Sequence, residues 1–588
     1  MNFFKNVLST IVGLILFTFI GFFLIILFFG IASMSSSSGS TKPVANNSVL
    51  KLDLSNIDKD YGGSVYIEDF DYKEKNKYDF YNVLNAIDYA KDDSKIKGIS
   101  IENNSTSIGI AQRQALREKL EEFKKTGKFV LAYANHYSQA EYYLNSVADT
   151  IFINPMGGVD FKGLSTELLY MKNLQNYTGI EMQVIRHGKY KSAVEPFLQQ
   201  EMSPENKLQN TELLYSIWNE LVADISSSRK ISIETLNEIA DNQNARTAQL
   251  ALEHKMVDKI AYLDEYKSSL KNALNISDSK DLKEIDIEDY VYNVKNNSSK
   301  ENNQIAVIFA QGDIRGGEGS SDYIGEISIN RSLEKARKND EIKAVVLRID
   351  SPGGSALTSE LIWREIELTK KVKPVIVSMG NTAASGGYYI ACNADYIFAE
   401  PTTITGSIGV YGMIPNAEKL GDKIGITSHQ IGTHINSVGM SLFTPLSENE
   451  KKYLTENIEF IYDTFLERVA KGRNMTTEEV HEVAQGRVWT GTMALQHKLV
   501  DKLGSLDEAI QFAANKVGVE NYKVTTHPTY KIKFADFLNS YFRLSTQNSI
   551  KESLINEIGL ENYKMLEQIN YIKKTDQIQA ILPYKFEI

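Results

Sequence analysis

Short apolar runs alternate with amphipathic segments along most of this chain. Runs such as Ala344-Val345-Val346-Leu347 have the length of a buried strand, and residues 359–368 place apolar side chains at helical spacing. Strands that alternate with helices are typical of an α/β fold in which the strands pair mainly in parallel. We therefore predict the α/β class for the body of the chain.

The longest apolar run lies near the amino terminus, where residues 7–32 contain no charged side chain. A run of this length exceeds the roughly 20 residues that span a bilayer and the roughly 7–15 residues of a signal-peptide core. We predict an uncleaved transmembrane anchor over residues 1–34, and a cleaved signal peptide is the alternative. Because Lys5 precedes the run and no basic residue follows it before Lys42, the positive-inside rule places the bulk of the chain outside the cytoplasm.

The same sequence unit occurs twice in the chain. Ile342 opens a stretch that ends at Pro401, and both residues lie 246 positions after their counterparts Ile96 and Pro155, with no gap between. At this spacing the repeated unit is a whole domain and not one turn of a solenoid. A chain of 588 residues is also too long for a single core.

The repeat and the polar stretches predict the domain limits. Residues 35–48 are a serine-rich linker, residues 49–295 form the first domain and residues 303–525 form the second. The two domains are separated by a polar break around residues 296–303. Residues 526–588 have no clear partner in the repeat, and we interpret them as an accessory tail.

The two copies differ at positions that could carry chemistry. The second copy contains Ser385 in Ala384-Ser385-Gly386-Gly387, whereas the first copy has Gln139 at the aligned position. Conversely, the first copy contains Lys191, whose aligned position in the second copy is Ser437. One copy has therefore kept a serine and the other a lysine, which suggests that each supplies half of one site.

Two glycine turns accompany the serine. Ser351-Pro352-Gly353-Gly354 and Ser385-Gly386-Gly387 each follow a predicted strand, where glycine lets the backbone approach a ligand closely. Two amides aimed at a developing negative charge form an oxyanion hole, worth about 3 kcal/mol per donor. A serine beside such a hole is a candidate nucleophile that needs a base, and a lysine can serve if burial lowers its pKa.

These motifs resemble the signal peptide peptidase A (protease IV) family in its long, duplicated, membrane-anchored form. The resemblance covers nearly the whole chain, and the motifs that carry it are Tyr190-Lys191-Ser192-Ala193-Val194-Glu195-Pro196-Phe197, Ser351-Pro352-Gly353-Gly354, Ala384-Ser385-Gly386-Gly387-Tyr388 and Thr405-Gly406-Ser407-Ile408-Gly409. It implies two tandem Clp protease/crotonase-like domains (ββα superhelix) behind one amino-terminal transmembrane helix.

The resemblance also implies a Ser-Lys dyad. Ser385 would be the nucleophile and Lys191 the general base. Gly386 and Gly353, or its neighbour Gly354, would supply the oxyanion amides, and Ser407 would orient the lysine amine.

The implied function is that of a membrane-anchored serine endopeptidase at the bacterial inner membrane. It would degrade remnant signal peptides and other apolar peptides on the periplasmic or extracytoplasmic side, and it would form a homo-oligomer, with the tetramer as the family's assembly. We expect no metal site and no cofactor, because no zinc-ligand spacing occurs in the sequence.

Charge and cysteine content limit the other classes of partner. A net charge of −11 argues against nucleic acid, whose phosphates need a basic surface. The single cysteine, Cys392, excludes an intrachain disulfide framework, and its apolar surroundings predict a buried thiol. We interpret His187, His254 and His497 as structural, because no Gly-x-Ser-x-Gly or zinc motif accompanies them.

Two other functions remain open from the residues alone. A crotonase-type acyl-CoA enzyme would use the same glycine turns, but it would need neither the lysine nor the anchor. A non-catalytic membrane scaffold would explain the losses in the first copy, but not the intact glycines in the second.

Overall fold

The computed structural model describes residues 5, 10–14, 16–21, 42–67, 69, 72–75, 78–103, 105–294, 301–438, 440–533 and 578–581. Most of the predicted anchor and most of the predicted tail therefore lie outside the described residues. Within the described ranges, no helix is both long enough and apolar enough to cross a membrane.

The strands alternate with helices over both halves of the chain. In chain order the strands are β1 (Ser48–Leu52), β2 (Ser64–Ile67), β3 (Tyr72–Lys75), β4 (Ile96–Glu102), β5 (Phe129–Ala134), β6 (Thr150–Ile153), β7 (Glu181–His187), β8 (Lys259–Ile260), β9 (Glu284–Asp286), β10 (Gln304–Gln311), β11 (Asp313–Arg315), β12 (Tyr323–Gly325), β13 (Ile342–Ser351), β14 (Gly353–Ser355), β15 (Val375–Ala384), β16 (Tyr396–Ala399), β17 (Ile404–Gly406), β18 (Val410–Asn416), β19 (Val488–Thr490), β20 (Lys502–Leu503), β21 (Lys523–His527), β22 (Thr529–Ile532) and β23 (Ile578–Ile581).

The helices lie between these strands and pack against the sheets. They are Phe80–Asp92, Ile110–Lys125, Gln139–Asn145, Lys172–Thr178, Glu195–Leu198, Pro204–Arg229, Ile233–Asn242, Ala248–Glu253, Leu263–Ala273, Ile287–Asn293, Glu326–Lys338, Ala356–Lys370, Gly386–Ala391, Glu418–Ile424, Glu448–Arg473, Thr477–Val483, Gly491–Gln496 and Leu506–Lys516, with a 3₁₀ turn at Ser192–Val194.

The first half is built on a parallel sheet. Its six strands lie in the order β8-β6-β5-β4-β1-β9, and every neighbouring pair runs in parallel. Leu50, Ile99 and Ile101 are fully buried in the core that this sheet forms with its helices. Burial on both faces explains the short continuous apolar runs of the sequence.

The second half repeats this arrangement. Its central strands lie in the order β17-β15-β13-β10-β21, with β16 beside β15 and β20 beside β16, and all of these pairs are parallel. Only β19 joins antiparallel, against β17. Strands β13, β15 and β16 begin 246 positions after β4, β5 and β6. The predicted α/β class with mainly parallel pairing is confirmed.

A third sheet joins the two halves. Its order is β12-β11-β14-β23-β18-β7, and only β7 comes from the first half. Seven residue pairs connect β7 and β18 in antiparallel register, from His187 opposite Val410 to Glu181 opposite Asn416. Because β7 leads directly into the segment that contains Lys191, this pairing carries the lysine to the second half.

Buried polar contacts also hold the halves together. Arg348 Nε donates to Asp60 Oδ2 at 2.7 Å, and both side chains are only 4% exposed. Asn381 Nδ2 donates to Gln112 Oε1 at 2.8 Å nearby. Removal of one partner from a buried ion pair strongly destabilises a protein, because the other charge is left buried and unpaired. These contacts therefore favour one relative position of the two halves.

Candidate active site

Ser385 occupies an unusual backbone conformation at the end of β15. It lies immediately before the helix Gly386–Ala391 with φ 55° and ψ −115°, a backbone conformation that residues other than glycine rarely adopt. Its N–H donates to the Gly406 carbonyl at 2.8 Å. Its hydroxyl does not cap the helix. The turn therefore leaves the hydroxyl available for another partner.

Lys191 lies on a short loop that rests on the second half. The loop follows β7, and the N–H of Tyr190 donates to the Gln485 carbonyl at 3.0 Å. Gly188 has φ 103°, and a Cβ there would lie 2.5 Å from the Gln485 carbonyl. Only glycine fits this close approach, which seats the lysine loop on the opposite half.

The lysine and serine side chains meet in the interior. Lys191 Nζ lies 2.8 Å from Ser385 Oγ, although the residues are separated by 194 positions along the chain. Both residues are 0% exposed. Burial lowers the pKa of Lys191 well below its usual 10.5. A neutral amine has a lone pair that can accept the serine proton, as a general base must.

Ser407 supplies the remaining partners of the amine. Lys191 Nζ lies 3.0 Å from Ser407 Oγ and donates to the Ser407 carbonyl at 3.1 Å. Ser407 is also fully buried, and its positive φ of 50° is held by an N–H bond to the Arg487 carbonyl. Two N–H donors and one lone pair match these two Ser407 oxygens and the Ser385 hydroxyl. The contacts therefore suit a neutral lysine.

The two glycine turns lie side by side next to the serine. A Cβ at Gly386 would lie 3.1 Å from Gly354 N and 3.2 Å from Gly353 Cα. Gly386 is the first residue of its helix, so its N–H has no acceptor within that helix. The Gly353 N–H donates to Ser351 Oγ at 3.2 Å, and Gly353 and Gly354 both have positive φ, 105° and 154°. Every predicted site residue therefore lies in one buried cluster.

The residues aligned with Ser385 and Lys191 in the other copy make different contacts. Gln139, aligned with Ser385, accepts hydrogen bonds at 3.0 Å from the N–H groups of Lys162 and Gly163 and donates one to the Gly163 carbonyl. Ser437, aligned with Lys191, is exposed on a loop, where its hydroxyl donates to the His434 carbonyl at 2.9 Å. Within the part of the chain that the structure describes, the aligned residues Gln139 and Ser437 therefore form no second serine–lysine cluster.

The other singled-out residues lie in packed surroundings. The His187 ring stacks on Tyr462 at 4.0 Å, and the His497 ring packs on Trp489 at 4.1 Å. Cys392 is a buried free thiol, as predicted, and burial raises its pKa to about 12. Within the described ranges, no three His, Cys, Asp or Glu side chains are grouped so that they could hold a metal ion.

The sequence analysis did not identify Gly486, which packs against the backbone of Lys191. Gly486 has φ 81°, and a Cβ there would lie 2.6 Å from both Lys191 N and Lys191 Cβ. Gln209 adds a second support, because its Nε2 donates to the Tyr190 carbonyl at 3.2 Å. The sequence contained a signal for Gly486. When the copies are aligned at the displacement of 243 positions seen in their carboxyl-terminal parts, this glycine lies opposite Gln243, so the two copies differ at this position.

Comparison with known proteins identifies the family of this chain. The model of peptidase family S49 matches it twice, over residues 122–277 and residues 367–520. The chain belongs to peptidase family S49. It is therefore a serine peptidase, a hydrolase, and the predicted family is confirmed. The two matches begin 245 positions apart, in agreement with the repeat.

Individual relatives extend over most of the chain. It is 35% identical over 587 residues to "Protease 4" of Haemophilus influenzae, covering 95% of this chain and 93% of that protein. It is 34% identical over 445 residues to "Serine protease SPPA, chloroplastic" of Arabidopsis thaliana, covering 74% and 65%. A ClpP1 variant structure from Listeria monocytogenes matches 35% of this chain and 94% of its own at 13% identity and a TM-score of 0.24. At that score the likeness carries no argument about the fold.

Proposed function

We propose that this member of peptidase family S49 is a serine endopeptidase that works through a dyad of Ser385 and Lys191. The observation that carries the proposal is the 2.8 Å contact between Lys191 Nζ and Ser385 Oγ, in a site where both side chains are fully buried. The lowered pKa of Lys191, caused by its burial, favours the neutral amine. Such an amine can accept the serine proton.

In the proposed reaction, Ser385 Oγ attacks the substrate carbonyl while Lys191 takes its proton. The amides of Gly386 and of Gly353 or Gly354 stabilise the negative charge on the carbonyl oxygen. Lys191 then gives its proton to the leaving amine, and water hydrolyses the acyl-enzyme with the lysine again as base. Ser407 holds the amine in position through its two oxygens.

We propose apolar peptides, including remnant signal peptides, as substrates. An apolar cluster flanks the lysine loop, with Val194 and Tyr411 buried and the neighbouring residues half-buried: Val184, Ala193, Leu198 and Met413. Since Tyr411 and Met413 belong to β18 beside the serine half of the site, this cluster can receive apolar side chains of a bound peptide.

We also propose that the chain is held at the bacterial inner membrane with its catalytic halves on the extracytoplasmic side. The support is the uncharged run over residues 7–32, preceded by Lys5. Protease added outside spheroplasts should digest the two halves and spare only the first residues. Full protection of the halves would contradict this topology.

Repeat symmetry supports a homo-oligomer as well. Within the chain β7 pairs with β18, but their repeat counterparts, residues 427–433 and residues 164–170, lie in no strand. Both of these segments contain exposed apolar side chains: Ile431 is 98% exposed and Leu169 is 64% exposed. Pairing of residues 427–433 with residues 164–170 of the next copy would repeat the internal contact. Ile431→Asp should lower the molecular mass of the oligomer measured by analytical ultracentrifugation, whereas an unchanged mass would contradict this interface.

An active-site serine probe tests the dyad directly. The wild-type chain and Lys189→Ala should label at Ser385 and hydrolyse peptides, because Lys189 is exposed and does not contact the serine. Ser385→Ala and Lys191→Ala should each lose hydrolysis by at least about 10²-fold, since nucleophile and base act as one unit. Near-wild-type hydrolysis by Lys191→Ala would refute the dyad. A crotonase-type enzyme or a scaffold would not label at all.

A further inference from the structure

A chain of buried polar side chains lies next to the loop that contains Lys191. It consists of Glu195, four residues after the lysine, and of Asn206 and Gln209 in the first turns of the helix Pro204–Arg229. Glu195 and Asn206 are 0% exposed, and Gln209 is 1% exposed. Buried polar groups need hydrogen-bond partners, so the contacts of these side chains fix their geometry.

The carboxylate of Glu195 lies at the start of the helix Pro204–Arg229. Asn206 Nδ2 donates to Glu195 Oε2 at 2.6 Å, and the N–H of Ser203 and the hydroxyl of Tyr170 donate to the same oxygen at 3.4 Å. A negative charge is stabilised at the amino terminus of a helix. Because an ionised carboxylate accepts hydrogen bonds and donates none, Asn206 must present its amide nitrogen to Glu195.

This contact fixes the orientation of the Asn206 amide. With its nitrogen on Glu195, the oxygen Oδ1 accepts from Gln209 Nε2 at 3.3 Å and from Asn210 Nδ2 at 2.7 Å. A reversed amide would place the Asn206 oxygen against a carboxylate and its nitrogen against two other donors. Glu195 therefore determines where Gln209 finds its acceptor.

Gln209 in turn holds the residues on both sides of the lysine. Its Nε2 donates to Ser192 Oγ at 2.8 Å and to the Tyr190 carbonyl at 3.2 Å. Ser192 is fully buried, as is Lys191. The position of one amide group therefore constrains the backbone on either side of Lys191.

Gln209 also contacts the half of the site that contains the serine. Its Oε1 accepts from the N–H of Val488 in β19 at 3.4 Å. Val488 is opposite Gly406, whose carbonyl accepts the N–H of Ser385 at 2.8 Å. One side chain thus connects the lysine loop to the strand beside the serine. A displacement of about 1 Å between reacting groups can cost roughly 10²-fold in rate.

We propose that Glu195, Asn206 and Gln209 are positioning residues for Lys191, and that the hydrogen bond between Glu195 and Asn206 sets the orientation of the amides. This inference rests on the proposed Ser-Lys function. The three residues act through Lys191, whose amine must stay within hydrogen-bond distance of Ser385. A disturbed network should therefore lower kcat and leave KM unchanged, because the lost interaction serves the reaction and not the binding of the peptide.

Exchange of the donor and the acceptor tests this network. Asn206→Asp removes the donor and puts a second carboxylate beside Glu195, so kcat should fall by about 10-fold to 100-fold. Addition of Glu195→Gln supplies a nitrogen that donates to the new aspartate, whose other oxygen still accepts from Gln209. The double variant should therefore recover kcat to within about threefold of the wild type.

Single changes of Glu195 provide a second, independent comparison. Glu195→Gln keeps an oxygen that accepts from Asn206 and should retain most of the activity. Glu195→Met has no acceptor, and its kcat should fall as in Asn206→Asp. Glu201→Gln is the matched control, because it makes the same change on an exposed carboxylate and should leave kcat unchanged.

An active-site serine probe separates positioning from a loss of folded protein. If the network positions Lys191, each variant should label to the same final fraction as the wild type, but its labelling rate should fall together with kcat. A purely structural role would lower the labelled fraction and leave kcat per labelled site unchanged, which would overturn the proposal.

Hydrolysis of an apolar fluorogenic peptide by the wild type separates this inference from the proposed function. If the wild type is active but the double variant is no more active than Asn206→Asp, the positioning role is wrong and the peptidase function stands. If Asn206→Asp does not fold, the comparison of Glu195→Met with Glu195→Gln decides, and equal kcat values would overturn the proposal. If the wild type neither hydrolyses the peptide nor labels, the proposed function itself fails, and this inference fails with it.

Discussion

Replacement of Lys191 by methionine separates a catalytic lysine from a structural one. The Lys191 side chain is fully buried, and burial is the cause of its lowered pKa. Methionine has a similar length and no charge, so Lys191→Met fills the same space without the amine. We expect the variant to fold and to lose peptide hydrolysis by about 10²-fold to 10⁴-fold, the contribution of a general base.

The stability of the wild type relative to this variant should depend on pH in a defined direction. The folded-state pKa of Lys191 lies well below the usual 10.5, so the unfolded chain binds a proton that the folded chain does not bind between these two pKa values. In that window the free energy of unfolding of the wild type should rise with pH by about 1.4 kcal/mol per pH unit relative to Lys191→Met. Above 10.5 the difference should become constant.

The measurement is urea unfolding of both proteins at several pH values, beside the pH profile of kcat/KM for the wild type. Activity should rise with pH as Lys191 loses its proton. Lys189→Met is the matched control, because Lys189 is exposed and should show no such slope. A difference between wild type and Lys191→Met that does not change with pH would mean that the folded lysine is charged, and the proposed base would be refuted.

Two further variants test the surroundings of the lysine, and a third tests the buried ion pair between the halves. Gly486→Ala places a methyl group 2.6 Å from Lys191 at a positive φ, and displacement of the amine should lower kcat by about 10²-fold with the fold retained by circular dichroism. Ser407→Ala removes one hydrogen bond of about 1 kcal/mol, so kcat should fall about fivefold to tenfold while KM stays constant, and full activity would contradict its orienting role. Arg348→Met leaves Asp60 buried without its 2.7 Å partner, and urea unfolding should show a loss of about 3–5 kcal/mol; a loss below 1 kcal/mol would refute this account of the interface.

The sequence alone determined the repeat, the α/β class and the candidates for the site. Apolar runs of strand length report burial of a strand, and a constant displacement of 246 positions reports a duplicated unit. The loss of a serine in one copy and of a lysine in the other singled out Ser385 and Lys191 without any coordinates. These features are readable because they depend on residues that are near in sequence or aligned by the repeat.

Only the tertiary structure decided how these residues meet. Strand β7 pairs with β18 more than 200 positions later, and this crossing brings Lys191 to 2.8 Å from Ser385. Gly486 came to lie against Lys191 in the same way, through a contact between distant segments. Periodicity in a sequence records which face of an element is buried, whereas the partner of that face depends on the packing of the whole chain.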